Sequence, residues 1–160
     1  MVLRKHMRGL SLVEILVVVA IIGILAVFAI YNYANAVTRA RQKRTMADMR
    51  IIATAWEARA SEGRNYGTTG FTYLTTNVPY ESLAGILIPT YARTLPRLDG
   101  WNRPLQFAIE ADGSTYALRS AGRDGTFETE YPVEQSEDPD CDIVFSAGNF
   151  VVYPAAVQNE

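Results

Sequence analysis

The feature that most limits what this chain can become is a run of 24 residues, Ile15 to Thr38, without one charged side chain. Roughly 20 apolar residues in a helix cross the hydrocarbon core of a bilayer, so the run is long enough to span one. Arg4, Lys5 and Arg8 precede it, and Arg39, Arg41, Lys43 and Arg44 follow it. The positive-inside rule keeps the leading cations in the cytoplasm, but three cations against four do not set the orientation by counting. A secretory signal has its small-residue cleavage site behind the apolar core. Here Gly9 stands before the core, while Ala34 and Ala36 lead into a helical pattern without a break. The segment reads as a retained membrane helix.

The helical pattern outlasts the apolar run. Met46, Met49, Ala53, Trp56 and Ala60 recur at spacings of three and four, one face of an amphipathic helix. No proline occurs from Leu10 to Ala60, and Gly23 is the only glycine there. Ser61, Glu62 and Gly63 supply the stop, with glycine suited to a left-handed cap. The spacing predicts one helix of about 50 residues, about 75 Å long. Its first half is apolar all round, and its second half has a single stripe on which another element must pack. Glu14 sits at the start of the apolar run, where a carboxylate costs several kcal/mol unless it is paired.

The rest of the 160 residues are the length of one modest soluble domain. The net charge of -2 conceals a basic neck and an acidic segment. Asp124, Glu128, Glu130, Glu134, Glu137, Asp138, Asp140 and Asp142 fall within 19 residues that contain no Lys or Arg. The basic residues flank a membrane segment and line no groove, so no nucleic-acid partner is expected. The lone Cys141 excludes an intrachain disulfide and reads as a buried or bystander thiol. Trp56 and Trp101 read as packing residues.

Tyr66 to Asn77 reads as a loop or short strand, and Ser82 to Ala92 as a short helix or turn interrupted by Pro89. Leu95 to Leu105 is dense in turn residues. Strands are expected over Leu105 to Glu110 and Ser114 to Ser120 around an Asp112-Gly113 hairpin signal. Two more, Asp142 to Ser146 and Asn149 to Tyr153, flank Ala147-Gly148. The expected fold class is α+β, a long N-terminal helix packed on a small antiparallel sheet.

The stretch Arg8-Gly9-Leu10-Ser11-Leu12-Val13-Glu14-Ile15, with the apolar run through Ala26, resembles the class III signal of type IV pilins and type II secretion pseudopilins. The resemblance implies that a prepilin peptidase cuts between Gly9 and Leu10 and N-methylates Leu10. It also implies that Glu14, then the fifth residue, neutralises the new α-amine of a neighbouring subunit. Leu10 stands where phenylalanine is usual, and Tyr31 where many members have proline. The implied organisation is a leader over 1–9, a transmembrane and polymerisation helix over 10–38, and a soluble head over 39–160. The head divides into an amphipathic helix half (39–62), a variable region (63–104), and a sheet with an acidic loop (105–160). Loss of the leader removes His6, and with it the common Ser-His and Cys-His nucleophile schemes and any histidine-ligated metal. No enzymatic activity is expected.

Asp99-Gly100-Trp101-Asn102-Arg103-Pro104-Leu105, Ser120-Ala121-Gly122-Arg123-Asp124-Gly125 and Asp140-Cys141-Asp142-Ile143 are similar to the major pseudopilin of type II secretion. That resemblance implies one calcium ion at Asp124, Asp138, Asp140 and Asp142, with carbonyls near Ala121. Calcium takes six to eight oxygen ligands, and eight acids with no base between them would repel in a closed loop. Composition alone favours a solvated acidic loop over a calcium site. The implied function is a structural subunit of a periplasmic pseudopilus, with a surface type IV pilus subunit as the alternative. A membrane-tethered binding protein or enzyme is the remote third reading. The implied location is a single pass of the inner membrane with the head in the periplasm, and the filament in the periplasm or at the cell surface. Implied partners are further copies in a helical filament, minor pseudopilins, the prepilin peptidase, the inner-membrane assembly platform and, before assembly, membrane lipid.

Overall fold

The computed structural model describes residues 11–62, 66, 78–109, 113–128, 135–136 and 138–155. The chain divides into two compact units between Val37 and Thr38. The first contributes the start of helix α1 (Leu12–Ser61). In lipid only a helix satisfies every backbone group within its own segment, which overrides the weak helix preference of the Val17–Val19 run. Its apolar side chains are exposed within the chain, Phe28 and Ile30 among them. The helix is long and apolar enough to cross a membrane.

In the second unit the sequence stripe becomes one side of a core. Met46, Met49, Ala53 and Trp56 are buried, joined by Ile52 and Ala55, while Ala60 is half-buried. The opposite side is a five-stranded sheet: β1 (Gln106–Ile109), β2 (Tyr116–Ser120), β3 (Gln135–Ser136), β4 (Ile143–Ser146) and β5 (Asn149–Pro154), in the order β1-β2-β4-β5-β3. The β1–β2, β2–β4 and β4–β5 pairs are antiparallel. Alternation places Phe107 and Ile109, Tyr116 and Leu118, and Ile143 and Phe145 on the buried face. Register stacks Phe107 on Leu118 and Leu118 on Phe145, and Phe145 meets Phe150 edge-on at 4.8 Å. Each fully buried large side chain contributes about 1.5–3 kcal/mol, so these inward residues and the helix stripe carry the head's stability. Ala147 and Gly148 both have positive φ, the pair of left-handed residues that a two-residue hairpin turn requires.

β1, β2, β4 and β5 match the four expected strands to within two residues at each end. Glu110 and Asp112 lie outside the described residues, as does Gly63 at the expected helix stop. So do residues 67–77 of the expected loop; Tyr66 lies against Trp56, whose Nε1 donates to its carbonyl at 3.1 Å. Two differences stand out. Helix α2 covers Tyr80–Leu87, where the sequence pointed to Ser82–Ala92. Pro89 bars the α conformation at the residue before it, so Ile88 is extended and the helix ends a turn early. Leu83 and Leu87 still reach the core. The other difference is β3, a two-residue strand parallel to β5 inside the acidic segment, too short to leave any alternation to read.

Candidate functional site: the anchor motif and the head's turn cluster

Glu14 lies in the first turn of α1, where free backbone N–H groups favour an anion. The helix opens with Glu14 N–H and Ile15 N–H donating to the Ser11 carbonyl at 3.1 and 3.3 Å. The next charged side chain along the helix is Arg39, so the apolar run offers Glu14 no cation. Gly9 and Leu10 lie outside the described residues.

The three motif stretches of the head fold into one cluster around Asp99. This carboxylate is 2% exposed. Its Oδ1 accepts the N–H groups of Trp101 and Arg103, both at 2.9 Å, and its Oδ2 accepts the Ser120 hydroxyl at 2.8 Å. The turn it holds needs a left-handed residue, which Asn102 supplies at φ 66°. Gly100 presses against α1: a Cβ there would stand 2.3 Å from the Arg41 carbonyl oxygen. Its N–H donates to Thr45 Oγ1 at 2.9 Å, and Gln42 Nε2 donates to the Pro139 carbonyl at 2.8 Å. Gly122, at φ 56°, lets the chain pass the Asp140 and Cys141 carbonyls, and Arg103 Nη1 closes on the Gly122 carbonyl at 3.0 Å.

The acidic segment is closed by cations from just outside it. Arg123 clasps both oxygens of Asp140. Arg119 Nε meets Asp142 Oδ2 at 3.1 Å, its Nη2 donates to the Glu128 carbonyl at 2.7 Å, and the guanidinium lies over the Phe127 ring. Asp142 is fully buried. Asp124 accepts from the Thr126 hydroxyl and N–H, which hold its carboxyl below the usual carboxylate range. Asp138 Oδ1 accepts the Asp140 N–H at 2.9 Å, and the Ala121 carbonyl accepts Gly125 N–H at 3.0 Å. Glu130, Glu134 and Glu137 lie outside the described residues. Among the described residues no three acidic, histidine or cysteine side chains converge as metal ligands. The described arrangement is one of acids engaged by arginines and by neighbouring backbone N–H groups. Its potential is still negative: burial first, and then the charges of Asp142, Asp138 and Asp124, push the Glu128 carboxyl above its usual range.

Cys141 is buried, and burial, with the charges of Glu128, Asp138 and Asp142, raises its thiol to about 11. It is a protonated, inert packing group. Asp99, Ser120, Arg103, Arg119, Arg123 and Gln42 carry this cluster, and none was given a role from the sequence. The available signal was position: three arginines stand within 21 residues upstream of the acidic segment.

Residues 4–30 match the family described as the prokaryotic N-terminal methylation motif. The match takes in Glu14 and the opening of α1, and it supports a type IV pilin-like chain. Comparison with curated proteins and with solved structures found no match. A prepilin-type motif implies processing by a prepilin peptidase and assembly into a filament as a structural subunit. The one long apolar helix among the described residues fits a membrane anchor, and the α+β head is consistent with a type IV pilin-like fold.

Proposed function

We propose that this chain is a structural subunit that polymerises into the periplasmic pseudopilus of a type II secretion system. The observation that carries the reading is the methylation motif at residues 4–30, which sets one carboxylate, Glu14, five positions after Gly9 and directly before the uncharged run Ile15 to Thr38. The secretion branch is supported by the head, where the stretches around Asp99, Gly122 and Asp140 form one cluster. Deleting the gene in its host discriminates: loss of protein secretion supports the pseudopilus, and loss of surface filaments with secretion intact identifies a pilus subunit.

Processing is tested by Gly9→Val. The wild-type chain is expected to begin at Leu10 with a methylated amine. The variant is expected to keep residues 1–9 and to show this in its intact mass. A normally shortened variant overturns the assigned cleavage point.

Calcium at the acidic segment belongs to the same proposal. What supports it is the repulsion among Glu128, Asp142, Asp138 and Asp124, which a divalent cation would relieve. Added calcium is expected to raise the Tm of the head and a chelator to lower it. A melting curve indifferent to both assigns the closure of the segment to Arg119 and Arg123 alone.

A further inference from the structure

We propose that Arg39, Arg41, Lys43 and Arg44 form a collar that binds the phosphates of anionic phospholipids in the leaflet from which the head emerges. The inference rests on the membrane-anchored reading given above.

The position of these residues along the chain is the first support. A membrane-spanning helix uses about 20 residues for the hydrocarbon core, so a span that begins at Ile15 is complete near Ala34. Tyr31 and Tyr33, 70% and 72% exposed, fall at that boundary. Tyrosines of this kind settle at headgroup level with ring inward and hydroxyl in water. Arg39 follows Ala34 by five residues, about 7.5 Å on a helix, and Arg44 by about 15 Å. Long cationic side chains reach back toward the interface, and charge acts over a Debye length of about 8 Å at physiological salt.

The distribution of the four around α1 is the second support. The helix faces the head's core through Gln42, Thr45, Met46 and Met49, all buried. At 100° per residue, Arg39, Lys43, Arg44 and Arg41 fan around the remaining surface. Arg41, Lys43 and Arg44 are exposed and Arg39 is half-buried. Arg44 also lies 3.6 Å from Asp48, a contact that leaves the Arg44 side chain 70% exposed. A guanidinium presents paired N–H groups that match phosphate oxygens, and three of the four cations are arginines.

The full chain is reconstituted in phosphatidylcholine vesicles with trace spin-labelled phosphatidylglycerol or spin-labelled phosphatidylcholine. Electron spin resonance then reads the motionally restricted lipid. The wild type is expected to favour phosphatidylglycerol by threefold or more, a preference that fades at about 1 M salt, where the Debye length falls to about 3 Å. R39Q/R41Q/K43Q/R44Q is expected to lose the preference, and R39K/R41K/R44K to keep most of it. Tryptophan fluorescence confirms that each head is folded. Equal association of both lipids with inserted wild-type protein overturns the collar, as does a preference that survives the quadruple substitution. A chain that enters vesicles of neither composition overturns the membrane-anchored reading itself.

Discussion

Glu14→Ala is expected to leave the subunit in the membrane and to abolish its filaments. Insertion depends on the apolar run, and removing a carboxylate from the start of that run lowers the cost of entering lipid. Assembly depends on what the carboxylate meets. The apolar run provides no cation, and in the proposed filament the α-amine freed at Leu10 of a neighbouring subunit would be the cation that Glu14 meets. Removing one member of a buried ion pair costs about 3–5 kcal/mol, because the other charge stays buried alone. At 1.4 kcal/mol per factor of ten, that weakens each subunit addition by roughly a thousandfold. Carbonate extraction reports insertion, and electron microscopy reports filaments. Filaments of wild-type length in the variant would sink the pairing argument, and Glu14→Gln, which keeps shape without charge, is expected to fail as Ala does.

Asp99→Ala is expected to destabilise the head by about 4 kcal/mol, the largest loss anticipated from any single polar side chain. Three donors lose their acceptor at once: the N–H groups of Trp101 and Arg103 and the Ser120 hydroxyl. Each donor left buried without a partner costs about 1–3 kcal/mol, and Asp99 is too deep for water to replace it fully. Asp99→Asn is expected to lose much less, because its carbonyl keeps the two backbone donors and Ser120 can rotate to accept. Urea unfolding followed by Trp56 and Trp101 fluorescence measures both. A loss below about 1 kcal/mol in the Ala variant would show that the turn is held by its backbone bonds alone.

Much of this architecture was legible from the residues. A proline-free stretch, with three- and four-residue spacing from Met46 to Trp56, gave the long helix. Alternation from Leu105 to Glu110 gave β1, the Asp112-Gly113 signal gave β2, and Ala147-Gly148 gave β4, β5 and the hairpin between them. Other features escaped for physical reasons. The start of α2 at Tyr80, two residues ahead of the expected Ser82, is one; Pro89, read as its interruption, does end it. Asp99 reads as a surface turn residue because turns usually face water, yet this turn is pressed onto α1. The acidic segment looks unbalanced when charges are counted within its own bounds. Arg119 on β2 and Arg123 in the following turn lie outside those bounds and are brought onto it by the fold. Gln42, polar within an apolar stripe, gains its partner from Pro139, 97 residues later.

The contact of Gly100 with Arg41 and Thr45 has a mechanical consequence. Within the head, this turn and the Gln42–Pro139 bond grip the first two turns of α1 after Thr38. A pull on a subunit through its anchor therefore enters the head at these points before it reaches any strand. From there the load passes through Asp99 to Ser120 at the end of β2, and through the 139–142 backbone to the start of β4. These two strands are hydrogen-bonded neighbours, with Ser120 opposite Ile143. The two routes converge on one strand pair, so tension on the anchor is shared across a ladder of bonds at the centre of the sheet.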